Sequence, residues 1–337
     1  MKEVYPGIFL INEKGSFGHI KPSVNIYIFA GEDGLIFDAG FGNRSAIKFF
    51  KEEFNKMKIL YESQGRKFNI TRIIPSHSHP DHFSGLKKIR EELGVKIILT
   101  KKTAKVIADK KSFMKSFKAD NYSDYLLVKK SLRSRIRDFI QRIFTRFLYT
   151  RIYGLSYIDD PDEIIEDNTE ISINGEAWKI FPSTGHAIDH ISLYNENKGI
   201  LLGGDNILKS ITTWLGPPNS NIEAYMNTIK YLQKLPNLDL ILPAHGDVIT
   251  NPIERINEIL DHRESRSEQV FEIVRNNLNK GVSPDDIIDK LYTHENGMLK
   301  EIARGWVCLT LKMLEDQRLI RREESDKVIK FFPINKV

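Results

Sequence analysis

Apolar positions along the first hundred residues come in short runs bounded by glycine, proline or charge, and the runs differ in period. "EVYPGIFLI", "VNIYIFAG" and "GLIFDAG" read as strands, "RSAIKFFKEEFNKMKILYESQG" as a helix, and "ITRIIPSH", "LKKIREELG" and "VKIILT" as strand, helix and strand. From Thr103 to about Asp160 the pattern changes to charged and aromatic residues at helical spacing, which predicts an insertion. Strand signals return in "ISINGEAWKIFPSTGH", "HISLYNENKGILLGGD" and "DLILPAHG", with a helix in "IEAYMNTIKYLQKL" before the last. Sheet alternating with helix predicts an α/β layered core over residues 1–250. Residues 251–337 read differently: three helical stretches, the second opened by Ser283 and Pro284 as N-cap and first helical residue, then an alternating tail turning near Ser325 and Asp326. That order predicts a winged-helix-like unit.

Composition changes the picture at two points. The single cysteine, Cys308, excludes an internal disulfide framework and any metal site built on several thiolates, so a bound metal would be held by histidine and carboxylate. The net charge of +5 is unevenly spread, because Lys110–Arg151 carries twelve Lys or Arg against three Asp. An anionic partner would be drawn to that segment. Within it Ile136, Phe139, Ile140, Ile143, Phe144, Phe147 and Leu148 mark one face of a helix, and arginines occupy and flank the rest. Three readings are open: a lid or dimer helix packed on the protein itself, a nucleic-acid groove contacted by Arg135, Arg142 and Arg146, or a helix lying on a membrane surface. No window approaches the ~18 apolar residues of a membrane span, and the opening residues lack the pattern of a secretory leader. The expectation is a cytoplasmic protein with no integral membrane association. Residues 251–337 hold 15 Lys or Arg and 16 Asp or Glu, which favours over nucleic-acid binding either a structural role or a dimerising one that would make a homodimer.

The densest chemistry lies in "IIPSHSHPDHFSG", where three of the chain's nine histidines and an aspartate fall between His77 and His82 on a strand-to-helix loop. Imidazoles and a carboxylate crowded in this way gain most by sharing a divalent ion. Residues 77 and 79 of an extended stretch share a side, and a turn at Pro80 can carry Asp81 and His82 to a second centre. Further ligand types follow apolar runs and adjoin glycine: His186 in "STGHAIDH", Asp205 in "LLGGDN" and His245 in "LPAHGD". His19, His262 and His294 read as ordinary surface or core residues.

The HxHxDH signature at positions 77–82, with His186, Asp205 and His245 in that order, resembles the metallo-β-lactamase superfamily over residues 1 to about 250. The resemblance implies an αββα sandwich with metals at one edge. It implies that His77, His79 and His186 bind one metal, that Asp81, His82 and His245 bind the other, and that Asp205 bridges them. It places Asp38 as a support of the ligands by hydrogen bonding. His190 matches the second histidine of a GHTxGH-like motif, although Ala187-Ile188-Asp189 departs from that motif. "GDNILKSITTWLG" and "DHRESRSEQVFEIV" further resemble the lactamase-β-2-like branch, which includes an endoribonuclease. The implied chemistry is a dinuclear hydrolase, zinc or else manganese or iron, whose two ions activate a bridging hydroxide, with Asp81 also moving a proton. An ester, thioester, lactone or phosphodiester could be the substrate, and single-stranded RNA is the alternative that the basic insertion supports. A non-enzymatic, metal-stabilised nucleic-acid-binding or regulatory protein is the third reading, disfavoured because all seven ligand-type residues are present.

Overall fold

The computed structural model describes residues 1–15, 21–116, 148–210, 212–216, 218–293, 297–325 and 328–334. Two sheets face each other. The first runs in chain order through β1 (Lys2–Tyr5), β2 (Ile8–Glu13), β3 (Val24–Phe29), β4 (Gly34–Phe37), β5 (Ile70–Ile74), β6 (Lys96–Thr100) and β7 (Glu163–Ile165). Its first three pairings are antiparallel, and the pairings from β4 to β7 are parallel. The second sheet has the order β12 (Leu240–Pro243), β11 (Ile200–Gly204), β10 (Ile191–Asn195), β9 (Glu176–Pro182) and β8 (Thr169–Ile173), with only β11 and β12 parallel.

Strand periodicity explains the layers. In β3, Tyr27 and Phe29 enter the core between the sheets with Leu35, Phe37, Trp178, Leu193 and Leu202, while Ile26 and Ile28 pack outward beneath α1 (Arg44–Ser63) with Phe50, Phe54 and Met57. Strands apolar on both faces are what a sheet covered on both sides requires. On the far side, Phe181, Tyr194, Leu201 and Ile241 meet Tyr225 and Ile229 of α6 (Ile222–Leu232) and Ile256 and Ile259 of α7 (Pro252–Arg275). The result is the αββα sandwich.

Connections between β5 and β7 include α2 (Pro80–Phe83), α3 (Leu86–Leu93), α4 (Lys101–Ile107), α5 (Lys110–Ser116) and a π-helical turn at Leu148–Ile152. The N-terminal end of the expected insertion is thus helical, and on its far side the π-helical turn is followed by irregular chain up to Asp160. Arg135, Arg142 and Arg146 lie outside the described residues, as does most of the amphipathic stretch. The strand β7 was not expected; three residues at a sheet edge leave too short a run for periodicity to register.

After β12 the chain forms α7, α8 (Pro284–Leu291), α9 (Gly297–Asp316) and an antiparallel ribbon of β13 (Ile320–Ser325) and β14 (Val328–Pro333). The expected order of three helices and a ribbon is therefore present. Ser283 caps α8 in a capping box with Asp286. The helix α7 serves two cores: Ile256, Ile259 and Leu260 belong to the layer over the second sheet, whereas Val270 and Val274 pack with Trp306, Val307 and Phe331.

Trp178 is fully buried between the sheets, with its ring edge-on to Phe29 at 4.9 Å. Its replacement by alanine leaves a large void and is expected to cost about 3–5 kcal/mol. Chemical denaturation checks this, and a loss below about 1 kcal/mol would mean that the sheets close over the gap.

Candidate metal centre

Parallel strands β4 and β5 end side by side, and the turns leaving them build the first half of the site. Asp38 follows β4 with φ +66°, a left-handed conformation that aspartate tolerates better than most residues. Its carboxylate accepts from the Ser76 backbone N–H at 2.6 Å and the Ser76 hydroxyl at 3.2 Å, and from His82 Nδ1 at 3.0 Å. His77 Nδ1 lies 2.9 Å from the Ser76 hydroxyl. With that hydroxyl donating to Asp38, the His77 ring donates to Ser76, so His77, and His82 whenever it is neutral, turn an unprotonated Nε2 inward. Those two Nε2 atoms are buried without hydrogen-bond partners.

The loop continues through His79, which precedes Pro80 at the start of α2, and the helical turn carries Asp81 and His82 to the other side. Between the two ligand types Ser78 donates to Asp189 at 3.1 Å. Asp189, part of the departure from the family motif, therefore ties the loop around His186 to the loop around His79. Burial raises its carboxyl pKa, against hydrogen bonds from Ser78 and Thr103 that lower it.

The second sheet supplies the remainder. His186 Nδ1 donates to the Trp214 carbonyl at 2.9 Å, and its Nε2 lies 2.9 Å from His79 Nδ1 and 3.3 Å from an Asp205 oxygen. His190 is not among the ligand atoms: its Nε2 accepts from the Asp205 backbone N–H at 3.1 Å and its Nδ1 donates to Ser183 at 2.7 Å. Burial, with His186 nearby, pushes its pKa down to about 3, which keeps it an acceptor. Gly204, at φ +52°, lies so close that a Cβ would meet His190 Nε2 at 2.3 Å. His245 leaves β12 with Nδ1 on the Ser23 carbonyl at 2.5 Å and Nε2 3.2 Å from Asp205 and 3.5 Å from Asp81. Asn25 of the first sheet clamps this turn through the carbonyls of Pro243 and Gly246, both at 2.8 Å.

All seven expected ligand residues converge. One group contains His77, His79, His186 and Asp205, the other Asp81, His82 and His245, and within each the ligand atoms lie within 4.8 Å of one another. An Asp205 oxygen is 3.6 Å from His82 and 3.2 Å from His245, so this carboxylate faces both groups. Divalent cations fit the donor set: imidazole nitrogens and carboxylates converge, His77 Nε2 and His82 Nε2 are buried without hydrogen-bond partners, and the nitrogens nearest Asp205 Oδ1 are those of the ligand-type residues His245 and His82. The supporting residues that sequence reading missed, namely Ser76, Ser183, Asn25 and the Trp214 carbonyl, carry no motif of their own.

Without a cation the same charges bind protons. Burial opposes a charged His82, yet Asp81, Asp38 and Asp205 together raise its pKa well above the ordinary value. His245, also opposed by burial, is carried up to about 9, chiefly by Asp205. Burial instead holds His77 and His79 well below the ordinary value, helped by the neighbouring histidines. A raised histidine pKa stabilises the fold fully below the unfolded value near 6.5, and that contribution is lost as pH rises through the folded value. Metal-free protein is therefore expected to lose thermal stability between about pH 6.5 and 9, and saturation with a divalent cation to remove that loss. A metal-free midpoint that holds level or rises across this window would contradict the electrostatics described.

Residues 21–245 match the family described as the metallo-beta-lactamase superfamily. The chain is 27% identical over 150 residues to the Beta-lactamase-like protein 2 homolog of Caenorhabditis elegans, covering 44% of this chain and 48% of that protein. It is 27% identical over 188 residues to the Drosophila melanogaster homolog, covering 52% and 62%. An atrochrysone carboxyl ACP thioesterase from Emericella nidulans is 26% identical over 184 residues, covering 54% and 56%. The chain thus spans about half the length of the curated relatives it matches. Among solved structures, a beta-lactamase domain protein from Burkholderia ambifaria superposes with TM-score 0.76 at 18% identity, covering 99% of this chain and 93% of that one. A metallo-beta-lactamase family protein from Thermus thermophilus superposes with TM-score 0.71 at 18% identity, covering 98% and 100%. These structures share the sandwich, the protein 2 homologs agree with the lactamase-β-2-like resemblance, and the matched family extends over more than half of the residues: the chain belongs to the metallo-β-lactamase superfamily.

Proposed function

We propose that the protein is a dinuclear metal-dependent hydrolase. The observation that carries this reading is the meeting of seven side chains in two adjoining groups, with Asp205 facing both and buried nitrogens left without partners. His77, His79 and His186 would hold one ion; Asp81, His82 and His245 would hold the other, with Asp205 shared. When bound, such ions supply an activated water and Lewis acidity toward a carbonyl or phosphoryl oxygen. Zinc is the first choice, although imidazole and carboxylate also suit manganese and iron.

The chain's own residues set the rest. Asp38 holds His82 and, through Ser76, His77 with their Nε2 atoms inward. Asp81 is partly exposed, and its two oxygens face His82 at 3.6 Å and His245 at 3.5 Å, a position from which it can pass a proton between the reacting centre and solvent. His190 and Gly204 fix the backbone that delivers Asp205.

The substrate is an ester, thioester, lactone or phosphodiester, and the thioesterase name of the Emericella nidulans relative makes a thioester the first to test. A second reading, cleavage of single-stranded RNA, is favoured by the excess of basic residues in Lys110–Arg151. We read residues 1–250 as the catalytic unit and 251–337 as a winged-helix-like unit whose balanced charge suits a structural or dimerising role. Among the described residues no helix is long and apolar enough to cross a membrane.

A panel of an acyl thioester, a lactone, a bis-ester phosphodiester and a single-stranded oligoribonucleotide, assayed on metal-loaded protein and on His79→Ala, tests this function. Turnover of at least one substrate is expected, with the variant reduced about 100-fold or more because a ligand is lost. Full activity in His79→Ala would refute the metal-centred reading. RNA turnover that falls with salt, by a slope flattened in the Arg135, Arg142 and Arg146 variants, would select the ribonuclease.

A further inference from the structure

His186 reaches the site from a turn, and what orients its ring is a segment with no regular structure of its own. The Trp214 carbonyl accepts from its Nδ1, the Thr213 hydroxyl lies 3.1 Å from the same atom, and the Ser220 hydroxyl donates to the His186 carbonyl at 2.7 Å. Trp214 is itself 48% exposed, with its ring against Gly216, while Thr213 and Leu215 on either side of it are buried. The carbonyl of the buried Thr213 therefore needs a hydrogen-bond partner.

That partner comes from α7. Arg263 is only 4% exposed, and its Nη2 donates to the Thr213 carbonyl, one peptide before the carbonyl that takes His186. Its guanidinium also lies over the Tyr225 ring at 5.7 Å, and the Tyr225 hydroxyl donates to the Asn206 carbonyl at 2.7 Å, next to Asp205. Two turns earlier on α7, Arg255 Nε donates to the Leu208 carbonyl at 2.7 Å.

Among the described residues no carboxylate pairs with Arg263. A guanidinium buried without a counter-ion is costly, and where only volume mattered an apolar side chain would fill the place at less cost. What an apolar residue could not do is hold a carbonyl and face a ring at once.

We propose that Arg263 is a positioning residue of the metal centre: it fixes the Thr213–Trp214 backbone that orients His186 as an Nε2 ligand, and through Tyr225 it braces the backbone beside Asp205. The helix that opens the C-terminal region is then a working part of the site as well as a connector. This rests on the dinuclear reading above, and α7, which feeds both cores, is the element through which a change in the C-terminal unit would reach the ligands.

Cobalt serves as the probe, because its visible absorption reports ligand geometry independently of turnover. Wild-type protein is titrated with cobalt against a competing chelator, beside Arg263→Met, which keeps most of the apolar stem, and Arg263→Lys, which keeps the charge. The expected result is two cobalt ions in wild type, a loss of about tenfold or more in affinity for one ion with an altered spectrum in Arg263→Met, and a loss of about threefold in Arg263→Lys. Folded Arg263→Met protein with wild-type affinities and spectrum would overturn the proposal. So would a loss of thermal stability with cobalt binding unchanged, the signature of a packing role. If Arg263→Met does not fold, wild-type affinity and spectrum in Arg263→Lys overturn it instead. Failure of the wild type itself to bind two cobalt ions would strike the dinuclear reading and not the role of this arginine.

Discussion

Negative charge buried at one edge of the sandwich is the constraint on which the rest depends. Asp38 is completely buried and Asp205 nearly so, with Asp81 beside them, and no lysine or arginine forms an ion pair with any of the three among the described residues. Carboxylates in such a place must be matched by protons or by cations. The surrounding histidines respond in opposite directions. His82 and His245, which face the carboxylates, are driven toward the charged form; His77 and His79, held down first by burial and then by neighbouring imidazoles, are driven from it. Divalent cations satisfy both sets at once, which protons cannot.

The architecture supplies this edge from both sheets. Strands β4, β11 and β12 are apolar through nearly their whole length, and β5 becomes buried and apolar at Ile73 and Ile74, so the polar ligand-type residues are confined to the turns where the strands stop. Holding those turns rigid takes contacts across the sandwich: Asn25 from the first sheet to the His245 turn, Ser78 to Asp189 between the His79 and His186 loops, and the Ile191 N–H to the Ser76 carbonyl at 2.9 Å. Ligand precision is thus a property of the two sheets together.

Much of this was legible in the sequence because the signals were local. Three histidines and an aspartate within six residues, and single ligand types after apolar runs, announce themselves by spacing. The strands and long helices were legible for the same reason, with the three-residue β7 as the exception. What was hidden is the support. Ser76 looks like any loop serine, the carbonyl of Trp214 belongs to every residue type, and Arg263 sits in a charged helical stretch that reads as solvated, although the fold buries it. The GHTxGH-like departure likewise gained meaning only when Asp189 met Ser78, 111 positions away.

Whether the seven converging side chains are a two-metal centre is best decided by diffraction from crystals of zinc-loaded protein, with data collected on both sides of the zinc absorption edge. The account requires two anomalous peaks per chain, one among His77, His79 and His186 and the other among Asp81, His82 and His245, with Asp205 touching both. A single peak, or zinc bound only elsewhere on the chain, would contradict it.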